Sequence, residues 1–258
     1  MRTRWATGWA ATGLLALLLG GGGNARGQAV DVTVSLDHPD LLVGLTTTCR
    51  VYAAIKPAYS NRSEQVFSWY VDLLNSSGAT ASADGSRLTM ATSDNSANLS
   101  SSGTPFGAQR RGIRNTFMNR PGAGKHARVE LFNVPVTALA PGVVTFSVQA
   151  GTTATNLAHD FIVATTNQPD PFTGGDYAAA HASLTVHAAP RLAIQTVGNR
   201  VQVNYPVWPD LDYRVASRGS LGAGPEWSPL PGAPHNAGLL TDTNAVLRRF
   251  YRLTVRPR

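Results

Sequence analysis

The chain has 258 residues, 25 of them glycine and 16 proline, with a formal charge of +7 and one cysteine. That length accommodates one large or two smaller domains, and a lone cysteine excludes an internal disulfide. The charge is misleading: Arg2, Arg4 and Arg26 lie in an N-terminal leader that holds no acid, and without it the charge falls to +4.

The leader "MRTRWATGWAATGLLALLLGGGGNARGQAV" has a basic start, an apolar stretch from Trp9 to Leu19 and a small-residue exit at Gly27-Gln28-Ala29. Translocation needs that order, so residues 1–29 read as a secretory signal peptide, cleaved after Ala29 or alternatively after Ala25. The apolar run is too short to span a bilayer comfortably. No later segment is apolar enough to be an anchor. The sequence therefore predicts an exported bacterial protein, secreted or held at the cell surface, with no membrane span.

Period-two alternation follows, the mark of strands with one buried face. "VDVTVSLD" (30–37) sets Val30, Val32, Val34 and Leu36 against Asp31, Thr33, Ser35 and Asp37. His38-Pro39-Asp40 reads as a turn. After a second turn containing Gly44 comes "TTCRVYAAI" (47–55), where Cys49 alternates in phase with Val51, Ala53 and Ile55 and so reads as a small buried hydrophobe. "QVFSWYVDLLNSSG" (65–78) is the third strand. Phe67, Trp69, Val71 and Leu73 point one way, and Ser68, Tyr70, Asp72 and Leu74 the other. The first set is wholly apolar and belongs in a core. Tyr70, Asp72 and Leu74 are expected toward solvent, and Tyr beside an apolar neighbour suits a protein interface.

Residues 76 to 125 form a long polar region, with short strands expected in "SRLTMAT" and "GIRNTFM" and a flexible loop over 93–104. Asp84, Asp94 and Asn95 could give oxygens to calcium, but no spacing matches a calcium loop, and turn chemistry accounts for them. No cofactor is implied. Arg110, Arg111, Arg114, Arg120, Lys125 and Arg128 cluster here. A nucleic-acid footprint needs such charge on one face with stacking aromatics, and only Phe117 lies among them, so they read as a solvated rim and no nucleic-acid partner is expected. "HARVELFNV" (126–134) breaks phase at Phe132, which predicts a bulge. "VVTFSVQA" (143–150), "DFIVAT" (160–165) and "ASLTVHA" (182–188) complete an all-β set. Beyond "HAAPRLAI" (187–194), "RLAIQTVGNRVQVNYPV" reads as a hairpin turning at Gly198-Asn199, with further strands in "DYRVAS" and "LRRFYRLTV". Residues 30–188 and 190–258 thus read as two β units. The second is small enough that it should lean on the first.

"VDVTVSLDHPDLLVGLTTTCRVYAAI", "FSWYVDLLNSSGA" and "ARVELFNVPVTALAPGVVTFSVQAG" resemble the successive strands of a cohesin-like domain, with the "ALAPG" turn at Ala138 to Gly142. The resemblance spans about residues 30–188 and implies a β-sandwich of jelly-roll or cohesin type. It also implies a non-catalytic module offering a sheet face to a dockerin-type exported protein, in the setting of polysaccharide catabolism. The third strand departs from the pattern, ending "LLNSSGA". The second unit resembles short C-terminal, fibronectin-like modules of exported bacterial proteins. It carries that resemblance in Gly198 to Val203 with Pro206, Tyr213 to Leu221, Trp227 to Gly232, and the final Phe250-Tyr251-Arg252-Leu253.

Catalytic constellations are missing from the sequence. Glu64, Glu130 and Glu226 form no matched carboxylate pair for glycoside hydrolysis. The six histidines form no metal-binding spacing, and no G-x-S-x-G elbow is present. "GAGK" (122–125) lacks the first glycine and the Ser or Thr of a phosphate loop. The expected function is protein binding through Tyr70, Asp72 and Leu74. The alternative is polysaccharide binding through exposed aromatics: Trp208 between Pro206 and Pro209, with Tyr205 and Trp227.

Overall fold

The computed structural model describes residues 30–57, 68–90, 101–116, 128–151, 162–163, 177–220, 226–243 and 249–258. The signal-peptide expectation, Asp94, Asn95, Phe67, Arg120 and Lys125 lie outside them. The strands run β1 (Val30–Leu36), β2 (Asp40–Leu42), β3 (Thr46–Ile55), β4 (Ser68–Asn75), β5 (Ala81–Ala83), β6 (Thr89–Met90), β7 (Ser101–Phe106) and β8 (Gln109–Thr116). They continue with β9 (Val129–Ala138), β10 (Gly142–Ala150), β11 (Ile162–Val163), β12 (Tyr177–Ala179) and β13 (His181–His187). The C-terminal strands are β14 (Ala193–Val197), β15 (Arg200–Asn204), β16 (Leu211–Arg218), β17 (Ser228–Pro229), β18 (Leu239–Asp242) and β19 (Phe250–Pro257).

The fold is all-β, a sandwich with a smaller β unit after it. One sheet orders β12-β1-β3-β9-β5, with β6 also on β9; the other orders β2-β13-β10-β4-β8-β7, with β11 also on β4. Their inner faces meet in one core. Val30, Val32 and Val34 enter from β1, Cys49, Val51, Ala53 and Ile55 from β3, Trp69, Val71 and Leu73 from β4, and Val144, Phe146 and Val148 from β10. Trp69 is 2% exposed and stacks on Phe132 of the facing sheet, ring centroids 5.5 Å apart. The aromatic row is thus core on this side, where burying each large apolar side chain is worth roughly 1.5–3 kcal/mol. The bulge expected near Phe132 is present. Val51 pairs with Phe132 but Tyr52 with Glu130, so Leu131 is the extra residue and both it and Phe132 are buried.

Several short elements escaped the periodicity, β2 and β7 among them. His38-Pro39-Asp40 leads directly into β2, whose parallel pairing with β13 is nonlocal and leaves no local pattern. The stretch expected as a flexible loop, 93–104, ends inside β7, which pairs antiparallel with β8. Cys49 is fully buried, and burial pushes its thiol up to about 12. It should ignore a thiol reagent in the native protein and react fully in denaturant; stoichiometric native labelling would contradict its placement.

On the outer face of the first sheet the charges are mutually paired. The Arg50 guanidinium donates from Nε and Nη2 to the two Asp37 carboxylate oxygens at 2.7 and 3.0 Å, and from Nη1 to Glu130 at 3.1 Å. Lys56 lies 3.1 Å from Asp31, and Arg128 covers the Tyr52 ring at 3.8 Å. The Arg50 hydrogen bond is the main cause that holds the Asp37 carboxyl below its ordinary 3.8. A depressed folded-state value means the stabilisation is present above pH about 4 and lost as acid protonates Asp37. The pair is a third exposed, so solvent screening keeps its worth under about 1 kcal/mol. Asp37→Asn should therefore lower stability slightly at pH 7 and not at pH 2.5, as read from urea midpoints; an equal loss at both would rule out the charge pair as its source.

Past His187, two three-stranded sheets, β14-β15-β18 and β17-β16-β19, enclose a second cluster. The hairpin turns at Gly198-Asn199 as expected, pairing Val197 with Arg200. Val203, Tyr205, Leu211, Tyr213, Val215 and Leu230 fill this cluster together with Leu42 of β2.

Candidate functional site

β4 crosses the middle of the second sheet with β8 on one side and β10 on the other. Its outer face is where Tyr70, Asp72 and Leu74 fall, but only two of the three are open to a partner. Asp72 is 0% exposed, and the expectation that it faces solvent is corrected. The cause is a second bulge: Val71 pairs with Ile113 but Leu73 with Arg110, so Asp72 faces two residues, Arg111 and Gly112. Gly112 takes φ +74°, a left-handed conformation that favours glycine. The bulge frees its N–H from the ladder, and that group donates to Asp72 Oδ1 at 2.8 Å. Gln149 Nε2 reaches Oδ2 from β10 at 3.4 Å. Asp72 is a structural acceptor.

Tyr70 and Leu74 are half-buried. Tyr70 pairs with Arg114 of β8, which in turn pairs with Ser101 of β7. On the other side the Tyr70 ring lies against Gly151, where a Cβ would strike it, and the Tyr70 carbonyl accepts from Gly151 N at 3.1 Å. Two buried polar atoms in this row have no hydrogen-bond partner: Tyr70 Oη and Arg114 Nε. Buried donors without partners are rare in folded proteins. Arg114 stood in the sequence as one of a run of basic residues; only the strand register sets it beside Tyr70. The run itself is divided. Arg111 covers the Phe106 ring at 3.5 Å, Arg110 turns toward the cleft beneath the β7–β8 turn, and Arg128 sits over the opposite sheet, so these arginines form no single basic patch.

Of the aromatics expected to meet sugar faces, Tyr205 is buried, which corrects its assignment as an exposed platform, while Trp208 and Trp227 are half-buried with intramolecular ring partners. Tyr205 is 6% exposed, donates its hydroxyl to the His235 carbonyl at 2.6 Å and stacks on Tyr213. Trp208 is half-buried and stacks on His187, centroids 4.3 Å apart, while its backbone N–H donates to Tyr213 Oη at 2.8 Å. Trp227 is half-buried near Arg252 and Arg218, whose guanidiniums lie 4.9 and 6.0 Å from its ring centroid. Among the described residues no group of three His, Cys, Asp or Glu is placed to hold a metal ion, and no helix is long and apolar enough to cross a membrane.

No family model and no curated protein matches the chain. Solved structures do align with it. CaCohA2 from Clostridium acetobutylicum matches with 13% identity and a TM-score of 0.39, over 62% of this chain and 92% of its own. A type I cohesin–dockerin complex from Clostridium thermocellum matches with 8% identity and a TM-score of 0.39, over 61% and 99%. A type II cohesin domain from the cellulosome of Acetivibrio cellulolyticus matches with 14% identity and a TM-score of 0.34, over 61% and 95%. Similarity at this level assigns no site, and the functional residues are argued from this chain alone.

Proposed function

We propose that the chain is an exported, non-catalytic binding module that engages a protein partner through the outer face of the β4-bearing sheet. Tyr70 and Arg114 are its centre, with Leu74 beside them. The observation that carries this reading is that Tyr70 and Arg114, paired across β4 and β8, and Leu74 beside them are only half-buried on this face. Tyr and Arg are also the side chains that most often dominate binding energy. The opposite sheet face spends its charges internally. A dockerin-type partner is what the sequence resemblance implies for such a module. Polysaccharide binding through Trp208, Tyr205 and Trp227 is the weaker reading, because each of these rings already has an intramolecular partner.

The test is capture of exported proteins on the immobilised chain, followed by titration of each captured protein against variants. Tyr70→Phe removes only the hydroxyl, and Arg114→Met keeps an unbranched stem while removing the guanidinium. Each should weaken a true partner by about tenfold, equivalent to about 1.4 kcal/mol. A captured protein that binds both variants like the parent does not use this face. Trp208→Ala should leave the affinity unchanged.

A further inference from the structure

An open cleft lies away from this face, at the end of the sandwich. There β5 and the 3₁₀ turn Gly85–Arg87 stand opposite the β7–β8 turn and leave an open cleft of about 690 Å³, within the usual size range of small-molecule sites. Leu73 and Ala83 contribute apolar wall, Pro105 lines one side, and Asp84, Gln109 and Arg110 contribute polar groups.

Two of those groups are held in place by bonds that leave part of their capacity free. Asp84 Oδ1 accepts from both Ser86 N at 3.1 Å and Ser86 Oγ at 2.6 Å, so the carboxylate is fixed at the start of the 3₁₀ turn while Oδ2 remains uncommitted. The Ser86 bonds also hold the Asp84 carboxyl below its ordinary range, so it is ionised at neutral pH. Arg110 spends Nε on the Ser102 carbonyl and Nη2 on Ser102 Oγ at 3.1 Å, leaving Nη1 uncommitted. The guanidinium lies flat against Gly85, where any Cβ would collide with Nη1. Glycine at 85 is therefore the condition for the cation to lie here.

From this geometry we propose that the cleft binds a neutral, polyhydroxylated ligand, one sugar unit of a glycan, between Asp84 and Arg110. The two charges cancel within the cleft: an anionic ligand meets Asp84 and a cationic one meets Arg110, at a cost in either case. A sugar hydroxyl both donates and accepts, so adjacent hydroxyls satisfy Asp84 Oδ2 and Arg110 Nη1 together. The Gln109 amide and the exposed Ser82 hydroxyl add further polar contacts at the rim, and the Pro105 ring offers an apolar wall to a sugar face. Both charged groups are positioned before the ligand arrives, so little ordering cost falls on binding. This site owes nothing to the Tyr70 face and stands or falls separately from it.

The experiment is saturation-transfer NMR followed by calorimetric titration of the intact chain with glucose, galactose, mannose and N-acetylglucosamine and their β-1,4-linked dimers. Glucuronate, glucosamine and sorbitol serve as charged and acyclic comparisons. At least one neutral sugar should bind, with Asp84→Asn and Gln109→Ala each weakening it at least fivefold and Tyr70→Phe leaving it unchanged. Asp84→Asn keeps the oxygen that caps the 3₁₀ turn, so it should fold; equal melting temperatures establish that. Gly85→Ala, which displaces the guanidinium, should also abolish binding. The proposal is overturned if no neutral sugar binds, if glucuronate or glucosamine binds more tightly than every neutral sugar, if sorbitol binds as well as the rings, or if Asp84→Asn binds like the parent.

Discussion

Asp72→Ala is expected to destabilise the protein by about 3 kcal/mol, measured as a shift of the urea unfolding midpoint. Its carboxylate is wholly buried, and it answers the Gly112 N–H that the bulge in β8 releases. Alanine leaves that donor buried without a partner, which costs roughly 1–3 kcal/mol, more when the lost acceptor is charged, and it opens a small void besides. Asp72→Asn keeps an acceptor oxygen and should lose about half as much. The contrast with Tyr70→Phe is informative. That change removes a hydroxyl with no partner in the free chain, so it should be neutral or slightly stabilising while weakening a partner. A loss below about 1 kcal/mol in Asp72→Ala would mean that Gly112 finds another acceptor and that the carboxylate serves something other than the ladder.

This difference between neighbours two residues apart marks how far the sequence could be read. Alternation places Tyr70, Asp72 and Leu74 on one face correctly, because side-chain direction in a strand is a local property. Whether a residue on that face is buried depends on its neighbours in β8 and β10, which lie about 40 and 77 residues away in sequence. The Gly112 bulge is a property of the pairing, and only the glycine itself hints at it. The same limit explains the aromatics. Trp208 sits between prolines in a segment that reads as an exposed loop, yet His187 from the preceding sheet stacks on it. The core, by contrast, was legible almost residue by residue. Val30, Val32, Val34, Cys49, Val51, Trp69, Val71, Leu73, Val144, Phe146 and Val148 all stand in phase in the sequence and are all buried. The cleft was not legible, since Asp84 and Arg110 meet only where a turn on one sheet faces a hairpin on the other.

Leu42→Asp is expected to release the C-terminal sheets from the sandwich and to lower their stability by roughly 3 kcal/mol or more. Leu42 belongs to β2 of the sandwich by pairing, yet it is buried among Val203, Tyr205, Leu211, Tyr213 and Leu230. Beside it, within the sandwich, Val43 N donates to the His187 carbonyl at 3.0 Å and His187 Nε2 and Asp40 Oδ1 are hydrogen-bonded at 2.7 Å; the contact that crosses the seam is the ring of Trp208 over His187. A unit of about seventy residues without a disulfide buries too little surface to be robust alone, so a leucine lent by its neighbour is a large share of its core. Removing such a side chain costs about 2–5 kcal/mol even with an apolar replacement, and a carboxylate adds its desolvation. Amide hydrogen exchange should show β16 and β19 losing protection in Leu42→Asp while β1 and β3, on the far sheet, keep most of theirs, since regions of a protein can open separately. Leu42→Ala should show the same pattern at lower amplitude. Equal loss of protection in both regions would make the two clusters a single cooperative core, and the seam at Leu42 would then be an internal packing contact rather than a joint between two folding units.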